Sequence, residues 1–170
     1  MIDRTDRPRP VLDRIEPLRE AAVRTVERAH WIALLLARFS VGFLFMSTGW
    51  GKVHDLAKVT SFFVHLGIPA PAFNAVLVGY SELIGGSLLV IGLLTRLATI
   101  PLMVSMVVAI LTAKWSELHW ATLPFDLAGF DEFTYLCMLI VLAVFGPGLA
   151  SLDAVLLSFL GVAPHKTIAA

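Results

Sequence analysis

"ARFSVGFLFMSTGWGK", residues 37–52, decides the fold. It is an apolar run interrupted by Arg38 and closed by Lys52. It sits inside a longer segment, about Trp31–Gly51, that approaches the ~20 apolar residues needed to cross a bilayer. Charges within a span are costly, so they face the interior of a bundle and have partners there. Arg38, Gly42, Phe45, Gly49 and Lys52 fall on one narrow stripe of a helix turning ~100° per residue. The two glycines on that stripe let a second helix approach closely.

Working outward, three more segments approach spanning length: about Ala72–Leu94, about Leu97–Lys114 and about Phe130–Gly146. The second carries its own stripe of small residues and charge, Ala75, Gly79, Glu82 and Gly86, and mutual packing of the two stripes is the simplest arrangement. Only "LLTRLAT" joins the second and third segments, which therefore form a tight antiparallel hairpin. If each span starts where its apolar run starts, Arg38 lies roughly 10 Å, Glu82 roughly 18 Å and Lys52 roughly 31 Å from one end of the bundle. Those heights predict an Arg38–Glu82 ion pair, with water assisting. The other reading has Glu82 protonated or bonded to Ser81, Tyr80 or a backbone carbonyl. Lys52 is expected to snorkel to the interface beside Trp50.

The composition agrees with a membrane protein. The chain is 58% hydrophobic, against about 45–50% in soluble domains, and 13 Lys and Arg balance 13 Asp and Glu. No basic face for nucleic acid follows from that balance. The balance is uneven along the chain, since Arg4, Arg7, Arg9, Arg14, Arg19, Arg24 and Arg28 all precede the first span. With both ends of the bundle compared, this asymmetry places the N- and C-termini in the cytoplasm. The single cysteine, Cys137, can form neither an intrachain disulfide nor a CxxC centre.

Residues 1–30 lack the apolar core and cleavage site of a secretory signal and are read as retained. Leu12, Ile15, Leu18, Ala22, Val26 and Ala29 recur at helical spacing, which fits an amphipathic helix on the membrane surface with its arginines toward headgroups. The division is thus a basic extension over 1–30, a four-span domain over 31–154 and a short tail over 155–170. The predicted fold is all-α: an integral membrane four-helix bundle with an N-terminal amphipathic helix. Pro69 and Pro71 disfavour helix continuation in the first outer connection. After "GPG", Ser151 is placed to cap a short amphipathic tail helix. His54, His65, His119, Asp126, Asp131 and Glu132 gather near one end, but no HxH or HExxH spacing appears, and no metal site is expected. Asp131 and Glu132 read most simply as charges favourable to the N-terminus of the last span.

The chain resembles the DoxX family of small four-helix membrane proteins from about Leu36 to Asp153. The resemblance is carried by "ARFSVGFLFMSTGWGK", "HLGIPAP", "GYSELIGGSLLVIGLLTRLAT", "MVVAIL", His119, "GFDEFTYL" and "GPGLASLD", in that order. It implies Arg38, Lys52, Glu82, Arg96, His119, Glu132 and Asp153 as characteristic polar positions. The chain departs by its basic extension, by Trp50 between glycines, and by Asp131–Glu132 where the family commonly shows a single acid. Similarity to DoxD-type members implies a link to thiosulfate:quinone oxidoreductase, and other members are associated with membrane redox complexes. The expectation is an accessory subunit of a respiratory or redox complex in a bacterial-type inner membrane, without catalytic activity of its own. Its partners would be the lipid bilayer and other membrane subunits. The alternative is a component that holds a quinone or a bound lipid on the polar stripe; a small carrier or lipid transporter is the weaker option.

Overall fold

The computed structural model describes the backbone of residues 10–115, 118, 123–146, 148, 151–153 and 159. Side chains are described at Arg19 and from Trp31 onward within that set, apart from residues 123 and 124. Among the described residues the chain is helical and contains no strand. The helices are α1 (Pro10–His54), α2 (Leu56–His65), α3 (Pro71–Ile91), α4 (Thr95–Ala113), α5 (Leu123–Ala128) and α6 (Asp131–Phe145).

Three helical stretches have the length and hydropathy of a membrane crossing: Trp31–His54 within α1, Pro71–Ile91 and Thr95–Ala113. The helix α6 has 15 residues, about 22 Å, and packs beside α4 as the fourth helix of the group. The outer surface is apolar. Leu36, Phe43, Phe73, Leu97 and Val144 are each more than 60% exposed, an arrangement that suits hydrocarbon and not water. Inside lies a cluster of Val41, Phe45, Leu89, Ala98, Leu102, Met106 and Leu139. In lipid, such a core gains its stability from close packing more than from the hydrophobic effect.

The α1–α3 interface is the most extensive, followed by α4–α6 and α3–α4, whereas α1 and α6 touch sparsely. Glycine sets the first of these. A Cβ on Gly42 would sit 2.9 Å from the Val90 backbone nitrogen, and one on Gly49 would come 2.8 Å from the Glu82 carbonyl carbon. A Cβ on Gly86 would likewise run into the backbone at Phe45 and Met46. These approaches define an antiparallel register in which Arg38 faces Gly92, Gly42 faces Leu89–Val90, Gly49 faces Glu82–Leu83 and Lys52 faces Gly79. The two stripes seen in the sequence therefore meet.

Two elements differ from the sequence expectation. The helix anticipated over 11–30 and the first span are one continuous helix, 45 residues long, about 67 Å. The connection after Lys52 contains α2, whose N-cap Asp55 accepts a hydrogen bond from the Lys58 backbone N–H at 3.1 Å. The α3–α4 hairpin turns on Gly92 (φ 76°) and on Leu94 (φ 49°), a left-handed non-glycine residue.

Candidate functional site

Glu82 projects from the middle of α3 toward α1 and is 1% exposed. Its nearest charge is the Lys52 ammonium, whose Nζ donates to Oε1 and Oε2 at 2.5 Å each. Thr48, one turn before Lys52 on α1, donates its hydroxyl to Oε2 at 3.0 Å and lies 3.2 Å from the Phe45 carbonyl. The carboxylate is thus held behind two donors. The Lys52 side chain is 32% exposed, and Thr48 is exposed. Gly49 makes the geometry accessible: only a residue without a side chain lets α1 lie against the Glu82 backbone, so that Thr48 and Lys52 flank the carboxylate.

This pairing corrects the Arg38–Glu82 ion pair expected from the sequence. The expectation set Trp31 level with Leu94, whereas the register sets Arg38 opposite Gly92. Five residues of offset amount to about 7.5 Å, enough to remove Arg38 from Glu82 and to bring Lys52 within one turn of it. The expectation that Lys52 snorkels outward fails for the same reason. Helical side chains lean toward the N-terminus of their own helix, and for Lys52 that direction leads to Glu82. Ser81 is no rival, since its hydroxyl donates to the Leu77 carbonyl at 2.6 Å.

Arg38 instead organises the opposite end. It is 2% exposed and lies against the hairpin turn and the segment after α6. A Cβ on Gly92 would meet its Nη1 at 2.5 Å and the Ser151 Cβ at 2.9 Å. Asp153 is the anion whose charge acts on the Arg38 guanidinium. The Asp153 carboxylate also accepts from the Leu94 and Thr95 backbone N–H groups at 2.9 and 3.3 Å, while its own N–H donates to the Gly92 carbonyl at 3.0 Å. It therefore caps the first turn of α4, where no local side chain does so. Ser151, expected to cap a tail helix, stands immediately before helical Leu152 and donates its hydroxyl to the Gly148 carbonyl at 2.9 Å.

The remaining polar positions fall apart from the Lys52–Glu82 centre or outside the described residues. Arg96, in the first turn of α4, donates from Nη2 to the Val144 carbonyl in the last turn of α6 at 3.2 Å. A cation there complements the helix dipole. Glu132 lies half-buried in the first turn of α6, beside the exposed Asp131. His119 lies outside the described residues. Sequence reasoning missed Thr48 as a partner of Glu82; the signal was its i−4 spacing from Lys52 beside Gly49.

These features define a polytopic helical membrane protein with one buried carboxylate held by cationic and hydroxyl donors. The chain belongs to the DoxX family, whose pattern matches residues 33–115. It is 35% identical over 133 residues to the Mycobacterium tuberculosis protein "Uncharacterized membrane protein Rv3486", covering 71% of this chain and 79% of that one. It is 33% identical over 130 residues to the Bacillus subtilis protein "Putative oxidoreductase CatD", covering 75% of this chain and 90% of that one. No solved structure matches it significantly.

Proposed function

We propose that the protein is an accessory subunit of a redox assembly in a bacterial-type inner membrane, with both termini in the cytoplasm. The Lys52–Glu82–Thr48 centre is the observation that carries this reading. It is a charge-compensated polar group within an apolar bundle, exposed on its Lys52 side. Its side chains bind and orient, and the electron-carrying group belongs to the assembly. The name of the Bacillus subtilis relative supports the redox context. Solubilising native membranes in a mild detergent and isolating the tagged chain should recover oxidoreductase subunits in fixed stoichiometry. A chain that emerges alone under every solubilisation condition overturns the proposal.

A second reading, that the centre holds a quinone or lipid headgroup, is favoured by one observation: Lys52 uses two of its three N–H donors on Glu82 and is partly exposed.

A further inference from the structure

The continuity of α1 decides where the basic extension goes. The register puts Arg38 opposite Gly92, where the chain turns from α3 into α4. The helix before Trp31 therefore lies beyond the Arg38 end of the bundle. From Pro10 to His30 it runs about 30 Å. A helix continuous with a span follows that span's course, within about 40° of the bilayer normal. It cannot lie in the plane of the headgroups, as a surface-bound amphipathic helix does. Pro17 removes only the hydrogen bond to the Asp13 carbonyl, near the far end.

Phase along the helix sorts the extension into faces. At ~100° per residue, positions Ile15, Leu18, Ala22, Val26 and Ala29 continue the line of Leu36, Ser40, Phe43 and Ser47. Those last four are exposed, on the side of α1 turned away from α3. Asp13, Glu16, Glu20 and Glu27 continue instead the line of Arg38, Phe45 and Lys52, which faces α3. Arg14 and Arg28 border the apolar stripe on one side, and Arg19, which is exposed, borders it on the other. The extension is thus an apolar stripe between cationic edges, carried away from the bilayer.

An apolar stripe held in water marks an interaction surface, and charge selects its occupant. In a parallel pair of copies, the Arg14 edge of one helix would stand against the Arg19 edge of the other, like charge on like. The chain's own segment after Asp153 has no acidic side chain to meet either edge. We propose that the extension docks a separate protein, through a helix whose apolar face is edged by carboxylates. The apolar stripe supplies the buried area, and the arginine edges set orientation and on-rate. This surface is separate from the Lys52–Glu82 centre and goes beyond the accessory-subunit reading, which needs no particular contact.

The test uses the full-length chain in nanodiscs and two synthetic helical peptides as probes. Both carry one leucine seam, edged by glutamates in the first and by lysines in the second. Fluorescence anisotropy should show the glutamate peptide binding saturably. The lysine peptide should bind about tenfold or more weaker, the yield of a few solvent-exposed ion pairs. Replacing Arg14, Arg19 and Arg28 together by Glu should invert that preference at an unchanged melting temperature. Leu18→Ser should weaken binding of the glutamate peptide, whereas Glu20→Gln, on the opposite face, should not. A nitroxide on Ala22→Cys, in a Cys137→Ser background, should collide with an aqueous nickel complex and lose that access when the glutamate peptide binds.

The proposal is overturned if the two peptides bind equally, if neither saturates, or if Leu18→Ser binds as wild type does. It is overturned as well if the unbound label sits at headgroup depth, shows dipolar coupling between copies, or gains nickel access on deletion of residues 154–170. Those outcomes give the stripe to the bilayer, to a second copy or to the chain's own tail. Copurification separates this proposal from the accessory reading. If the triple variant still recovers oxidoreductase subunits in the wild-type stoichiometry, the accessory reading stands and this surface is rejected. If wild type recovers none while the peptide preference holds, the accessory reading alone fails.

Discussion

The α1–α3 pair holds a cation near each end, and the two are neutralised by different means. At one end Lys52 meets a carboxylate from the facing helix and keeps about a third of its side chain exposed. At the other, Arg38 is fully enclosed by the hairpin turn and the segment after α6, with Asp153 as its anion. The Arg38 end joins three parts of the chain and is closed. The Lys52 end joins two helices and retains an accessible donor. The difference separates an architectural charge from one available to a ligand or partner, although both arise from the same stripe.

The largest test of that comparison attacks what the two ends share. Gly49→Leu or Gly86→Leu would drive side-chain atoms into the backbone of the facing helix and should prevent isolation of a folded chain, as seen by size-exclusion chromatography in detergent. Arg38→Ala should come next, at about 2–5 kcal/mol, the range for emptying a large, fully enclosed side-chain site, measured by reversible denaturation in mixed micelles. Lys52→Ala should cost less, about 1–3 kcal/mol, because the pair is partly exposed and its worth is that of charge-assisted hydrogen bonds. If Lys52→Ala proves more costly than Arg38→Ala, the division into a closed and an accessible end is wrong. Asp153→Ala removes the cap of α4, about 0.5–2 kcal/mol, and with it the charge that acts on Arg38, with faster amide hydrogen exchange at Leu94 and Thr95. Arg96→Ala should have the smallest effect, about 0.3–1 kcal/mol, by removing a cation from the C-terminus of α6.

Much of this was legible in the sequence because membrane spans and glycine stripes are local patterns. The stripes on α1 and α3 meet as their periodicity implies, and the α3–α4 hairpin forms where "LLTRLAT" leaves no room for anything else. The partner of Glu82 was not legible, because it depends on the relative height of two helices. Apolar runs locate where a span can begin, but Gly42, Gly49 and Gly86 decide which residues face one another. The Asp153 cap was hidden for a different reason: it acts across 59 residues, and no local rule connects a carboxylate after α6 to amides before α4. The short helix α2 had a readable signal in Asp55 followed by an apolar stretch, but the prolines further along the connection concealed it.

The unbroken course of α1 has a mechanical consequence. The helix runs from Pro10 to His54, lacking one backbone hydrogen bond where Pro17 has no N–H, and its second half carries the glycine contacts to α3. The close contacts at Gly42, Gly49 and Gly86 fix the rotation of its second half against α3, so the contacts that place Lys52 on Glu82 also set the direction in which the residues before Trp31 leave the bundle. The basic extension and the polar centre thus share one helix axis.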